Sequence, residues 1–327
     1  MQKARNLLLQ AAIVGLVLLA LYALAGIVAA KMRGLGVEPG FGFLAQRAGF
    51  DIGDTLIDFD AADSYGRAFV VGLLNTVAVA LVAIVASVLL GGALGLGQLA
   101  RNRLLARLCE AYVELFRNVP LLLQVLIVYV LLIGRLPLPH EAWHVFGDWG
   151  PDVWLSKSGL ALPWPIWGEG GLMLERPVLG RFTFSGGAML SPEFMAVASA
   201  LTLFTAAYIA EVVRGSVQSV SQRQTEAALA LGLSDAQTLR FVVVPQALRS
   251  MIPPLANQLL NLIKNSSLAV AVGYPDLVAV ADTTLNQSGH AVECIAIIMA
   301  VYLTLSLLTA ALMGGWHARL LRQQGGH

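Results

Sequence analysis

The sequence predicts an all-helical integral membrane protein with about six transmembrane helices. Three observations carry this. The 327 residues are 57% hydrophobic and 13% charged, about half the ~25% charge of an ordinary soluble domain, and mean hydropathy is +0.73. Three uncharged stretches reach the roughly 20 residues needed to cross a bilayer. A polar segment with strong helix punctuation lies between two of the later hydrophobic stretches.

In chain order, the uncharged spans are 7–30, 68–100 and 292–316, the last with Glu293 at its edge. Three further spans carry polar residues, at 114–134, 194–214 and 251–274. Lys3 and Arg5 precede the first span, which gives it the look of a signal peptide. Its core is longer than an ordinary apolar h-region and no small-x-small cleavage site precedes a soluble domain, so it is read as a retained helix. The chain divides into 1–67, a leading membrane helix with an outer segment, and 68–327, the main membrane domain. Within the latter an outer insertion covers about 135–193 and a hairpin about 215–250.

Lys and Arg counts fix the orientation. Arg101, Arg103 and Arg107 make one short loop basic, Arg214, Arg223, Arg240 and Arg249 flank the hairpin, and Arg319 and Arg322 lie in the tail. With an even number of spans, both termini, that loop and the hairpin fall on the cytoplasmic side. Lys31, Arg33, Arg47 and Arg67 run against the pattern, but in a long loop, where the rule is weak. A net charge of +1 without a basic block excludes nucleic acid as a partner. Cys109 and Cys294 are alone in the sequence, too few for a disulfide framework or a metal site, and read as small apolar side chains.

The insertion at 135–193 holds five of the six tryptophans and seven of the thirteen prolines. That composition predicts irregular structure anchored at the membrane interface, lying on lipid or touching an outer partner, with a re-entrant pair around 155–174 as a further option.

In the hairpin, Gly232 supplies a left-handed residue that ends one short helix, and Ser234 with Gln237 has the spacing of a capping box that starts another. Pro245 is expected to stop that second helix. Ala227, Ala228 and Ala230 leave a surface that another protein's backbone can approach closely. A connector packed on its own membrane domain would explain the periodicity but not those alanines.

Asn257, Asn261, Lys264 and Asn265, at i, i+4, i+7 and i+8, make one polar stripe on the fifth span. Such a stripe faces other helices or a water-filled path rather than lipid. Glu114 with Arg117, and Glu211 with Arg214, are i, i+3 pairs at an inner membrane edge. They read as local ion pairs or, more sharply, as an inner gate offering a zwitterion one acidic and one basic partner. Gly91, Gly95 and Gly97 continue a membrane helix and read as a packing surface. The absence of a Gly-Lys dipeptide excludes a Walker A loop. His140-Glu141-Ala-Trp-His144 is a formal H-E-x-x-H match, the one enzyme signal, and defines the alternative reading: a membrane-bound zinc metalloprotease.

Glu226-Ala227-Ala228, Gly232, Val242, Val244 and Pro245 together resemble the EAA loop of bacterial ABC import permeases. Glu114-Leu-Phe-Arg117-Asn-Val-Pro120-Leu, Tyr208-Ile-Ala-Glu211-Val-Val-Arg214-Gly215 and Leu262-Ile-Lys264-Asn-Ser-Ser267-Leu are similar to segments of the polar amino-acid permeases. The pattern covers about 69–317 and is most similar to the general L-amino-acid permease subgroup, which shares the leading helix and enlarged outer segment. Arg223 stands where the family usually has Gly. The resemblance implies a type I ABC importer permease fold in a bacterial inner membrane, with Glu226, Ala227, Ala228, Gly232 and Pro245 in the coupling loop. It implies no cofactor, two copies of a separate ATPase subunit, a second permease subunit and a periplasmic amino-acid-binding protein. The extra length of this chain favours a heterodimeric pair.

Overall fold

The computed structural model describes residues 39–322 apart from 148–149, 169–170 and 181–182, together with scattered helical positions between 10 and 34. Half of the leading span, 7–30, lies outside the described residues. Three described helices are long and apolar enough to cross a membrane, or five spans if each of two bent helix pairs is one.

The organising helix is α1, Tyr65–Gln98, started by Ser64, whose side chain accepts from the Arg67 backbone N–H. Its 34 residues rise about 51 Å, well beyond a ~30 Å hydrocarbon core. Without water to expel, membrane helices adhere by close packing, and small residues permit it. A Cβ on Gly91 would fall 2.7 Å from the Ala206 carbonyl oxygen, and one on Gly95 2.6 Å from Val213 Cβ. These glycines seat α1 on α4, Pro192–Gln218. A Cβ on Gly72 would likewise fall 3.0 Å from Leu277 Cα.

After a loop capped by Asn102, α2 runs from Arg103 to Asn118 and α3 from Leu121 to Arg135, bent by 104° to one another. The span expected over 114–134 is therefore corrected. Pro120 breaks it, leaving Glu114 and Arg117 on α2. Gln124 bridges the bend, its amide donating to the Phe116 and Val119 carbonyls at 2.9 Å, which α2 leaves without helical partners.

The insertion, expected to be irregular, is instead β-rich, within a chain that is otherwise helical. Strands β1 (Trp143–His144), β2 (Trp154–Ser156), β3 (Gly159–Leu162) and β8 (Ala188–Leu190) form an antiparallel sheet in the order β1-β2-β3-β8. β4 (Trp164–Gly168) pairs with β5 (Gly171–Glu175), and β6 (Val178–Leu179) with β7 (Phe184–Ser185). Residues 155–174 hold strands, so no re-entrant helical pair forms there.

Beyond α4 comes the hairpin: α5, Gln222–Ala230, and α6, Asp235–Thr238. Gly232 has φ 84°. Around it Leu233 N–H donates to the Ala228 carbonyl and Gly232 N–H to that of Leu229, a complete Schellman closure. The Ser234–Gln237 capping box is present in both directions. Pro245, however, does not stop the chain. A π turn at Leu239–Val243 leads straight into α7, Val244–Asn265, with Pro245 in its first turn. The wider turn accommodates a residue that has no N–H to give and that crowds the preceding carbonyl.

A 3₁₀ segment, Ser266–Val272, then leads to α8, Leu277–Ser288, capped by Asp276 and absent from the sequence expectation, and to α9, Ala291–Arg322. α9 packs on α7 and α8. The main core, including Val79, Ala83, Val125, Leu201 and Leu262, lies among α1, α3, α4 and α7. The segment before α1 folds back over the insertion end of the bundle, where Phe43, Ala48 and Tyr65 pack with Leu277 and Cys294.

Candidate functional site: a charged junction and a polar stripe joined at Tyr208

At the hairpin end of the bundle, α1, α2 and α4 converge on Glu211. Its carboxylate accepts from Arg214 at 2.7 and 3.1 Å and from the Gln98 amide at 3.4 Å, and lies 3.9 Å from Arg117. The Arg117 guanidinium stands 5.2 Å above the Tyr208 ring, a placement that holds a cation against the negative ring face. Glu211–Arg214 is thus the local pair its spacing predicts. Glu114–Arg117 is not: Arg117 reaches across to Glu211, and Glu114 has no ion pair among the described residues. The reason is orientation, since α2 lies against α4, so the nearer carboxylate is on the neighbouring helix. Around this junction is a cavity of about 280 Å³ lined by Gln98, Glu110, Val113, Glu114, Arg117, Glu211 and Arg214. Three carboxylates and two guanidinia therefore face one small space. Gln98 and Glu110 escaped the sequence reading, although Glu110, Glu114 and Arg117 share a face by i, i+4, i+7 spacing.

The polar stripe lies on the open side of α7. Asn257, Asn261 and Lys264 are exposed and Asn265 half-buried, while Leu255, Leu259 and Leu262 on the other face are buried in the bundle. A second cavity, of about 300 Å³, is lined by Phe204, Thr205, Tyr208, Gln258, Asn261, Leu262 and Asn265. Tyr208 belongs to this cavity and carries Arg117 of the first. The structure thus brings Asn261 and Asn265 close to the charged junction; Asn257 and Lys264 line neither cavity.

In the hairpin, Glu226, Ala227 and Gly232 are exposed and Pro245 half-buried, while Ala228 is 4% exposed and faces its own chain. The exposed surface is mostly polar, with Arg223, Glu226, Asp235 and Arg240 open, but two large apolar side chains stand out on it, Leu231 84% and Phe241 61% exposed. The H-E-x-x-H match fails on geometry. His140 and Glu141 end a 3₁₀ turn and His144 is in β1, where it stacks on Trp154 at 4.5 Å. The two imidazoles share no helical face, and among the described residues no three His, Cys, Asp or Glu side chains could hold a metal ion. Both cysteines are buried and free.

A bent helical bundle with a charged internal junction, a polar stripe and an exposed hairpin defines a membrane-embedded component of a transport system. The chain belongs to the family of binding-protein-dependent transport system inner membrane components, whose model matches residues 87–323. It is 41% identical over 338 residues to the general L-amino acid transport system permease protein AapQ of Rhizobium johnstonii, covering 86% of this chain and 83% of that one. It is 39% identical over 347 residues to the putative amino-acid ABC transporter permease protein YhdX of Escherichia coli, covering 89% and 87%. A crystal structure of an amino acid ABC transporter with histidines superposes with a TM-score of 0.57 at 26% identity, over 78% of this chain and 95% of that one. The chain is a permease subunit, not an enzyme, and ATP hydrolysis belongs to a separate subunit.

Proposed function

We propose that this permease carries amino acids inward across a bacterial inner membrane, with both termini and the hairpin in the cytoplasm. The observation that supports this best is the contact between the linings of the two cavities, Arg117 of the charged one standing over Tyr208 of the other. The asparagines of α7 offer neutral donors and acceptors along a path. Beyond Tyr208, Arg117 and Arg214 offer partners for a carboxylate and Glu110, Glu114 and Glu211 partners for an ammonium, as a zwitterion requires. The exposed hairpin, with Glu226, Ala227, Gly232 and Pro245, receives the ATPase. Two ATPase copies and a second, non-identical permease subunit complete the membrane complex, and a periplasmic amino-acid-binding protein delivers solute at the insertion end. ATP-driven closure of the ATPases presses on the hairpin and exposes the stripe alternately to the two sides.

Thiol labelling in the reconstituted complex tests the path. Cysteines at 257 and 261 react with small water-soluble reagents, to an extent that changes when ATP is trapped, whereas a cysteine at 259, on the buried face, stays unreactive. Equal labelling of both faces, or labelling at 257 and 261 that ignores nucleotide in a transport-competent complex, means the stripe is static packing.

A further inference from the structure

The β4–β5 hairpin is apolar on both faces and covered on neither. Its register pairs Pro165 with Leu174, Ile166 with Met173 and Trp167 with Leu172. Successive residues of a strand point to opposite sides, so a hairpin lying on its own protein buries every second side chain. Here neighbours on both sides are open: Trp167 is 84% exposed, Leu172 69%, Met173 56% and Leu174 59%. A protein partner docking on one face would leave the other in water. A medium that surrounds the hairpin leaves neither.

Helix lengths locate the root of this insertion. α3 begins at the 104° bend and has 15 residues, a rise of about 22 Å against a hydrocarbon core of about 30 Å. With the bend at the inner edge of the hydrocarbon core, as the proposed orientation has it, the chain leaves α3 before clearing the far side of the bilayer and the insertion starts at the depth of the outer leaflet. Exposed apolar side chains of α3, among them Leu126, Val130 and Leu131, form a continuous band up to that root. Trp164 and Trp167 are residues of the type that settles at the boundary between headgroups and acyl chains.

We propose that the β4–β5 hairpin is immersed in the headgroup–acyl boundary of the outer leaflet, a lipid anchor beside the mouth through which solute enters. The proposal rests on the membrane-spanning, outward-facing placement of the insertion, and is independent of which solute is carried. Nitroxide labels in the reconstituted permease complex test it by comparing collision with oxygen, which concentrates in lipid, against a water-soluble nickel chelate. Cysteines replacing Trp167 and Met173, which project to opposite faces of the hairpin, are the test sites, Leu126→Cys the bilayer reference and Lys157→Cys, at an exposed turn, the water reference. The expected result is oxygen-favoured collision at 167 and 173, as at 126. Nickel-favoured collision at 167 or 173, as at 157, overturns the anchor, and so does exclusion of both reagents, which means protein covers the hairpin. A label at 126 that is not oxygen-favoured defeats the membrane-spanning reading itself and is distinguishable from either. As a label-free check, quenching of tryptophan fluorescence by brominated lipid falls in Trp167→Phe; unchanged quenching counts against the anchor.

Discussion

Replacing Gly95 by alanine adds one methyl group where the structure has no room for it. The new Cβ sits 2.6 Å from Val213 Cβ and 2.7 Å from the Ala210 carbonyl oxygen, whereas carbon atoms rest at about 3.5–4.0 Å. Neither neighbour is the tip of a flexible side chain, so α1 and α4 must part by about 1 Å along their contact. Overpacking of this kind costs about 1–3 kcal/mol, and in a membrane there is little else to draw the helices back together. Gly92, one residue from Gly91, provides the control, because nothing lies within 4 Å of its Cβ position. There alanine gains about 1 kcal/mol of helix propensity at no packing cost. Thermal unfolding of the purified complex in detergent should place Gly95→Ala on the order of 5 °C below Gly92→Ala, with Gly91→Ala beside Gly95→Ala. If Gly92→Ala lowers the midpoint as much as Gly95→Ala, the close approach of α1 to α4 is not what these glycines are for.

The remaining predictions concern charge and coupling. Burial pushes the Asp54 carboxyl above its ordinary value, the Ser191 hydroxyl pulls it part of the way back, and Glu193 adds to the rise. A raised acid contributes stability below its unfolded value that is lost as pH rises through the folded one. Thermal stability should therefore step down over that interval and the step should vanish in Asp54→Asn; a step of the same size in the variant refutes the assignment. Glu211→Gln keeps a hydrogen-bonding side chain but leaves Arg117 and Arg214 without their shared counter-charge, so uptake in proteoliposomes should fall about tenfold or more. Uptake at the wild-type rate would remove the junction from the path. Glu226→Lys and Gly232→Asp should leave the permease inserted and assembled in the membrane while ATP hydrolysis no longer drives uptake, and normal uptake in either variant sinks the docking role.

What the sequence revealed, and what it hid, follows from the range over which each signal acts. Gly232 and the Ser234–Gln237 box were legible because backbone closure is a matter of four or five adjacent residues. The fifth-span stripe was legible because helical period sorts Asn257, Asn261 and Asn265 from Leu259 and Leu262. Arg117 was misassigned because spacing along α2 cannot see Glu211 on α4. Pro245 was misread as a stop because the π turn that accommodates it has no composition of its own. The β4–β5 hairpin was invisible for a more particular reason: period-2 alternation marks a strand only when one face is polar, and Trp164–Trp167 with Leu172–Leu174 is apolar on both.

The π turn before Pro245 has a mechanical consequence. Because helix continues through it, the chain from Asp235 to Asn265 is a single shaft, interrupted by no loop. At ordinary helical rise it is about 46 Å long, with the exposed hairpin at one end and the asparagines towards the other. A thrust of about 3 Å at the near end, if the shaft pivots about its far end, tips it by about 4°. Pro253 and Pro254, inside α7, are the points where such a shaft bends most easily. Force arriving at the hairpin therefore need not be relayed from one side chain to the next, because hairpin and stripe are the two ends of the same lever.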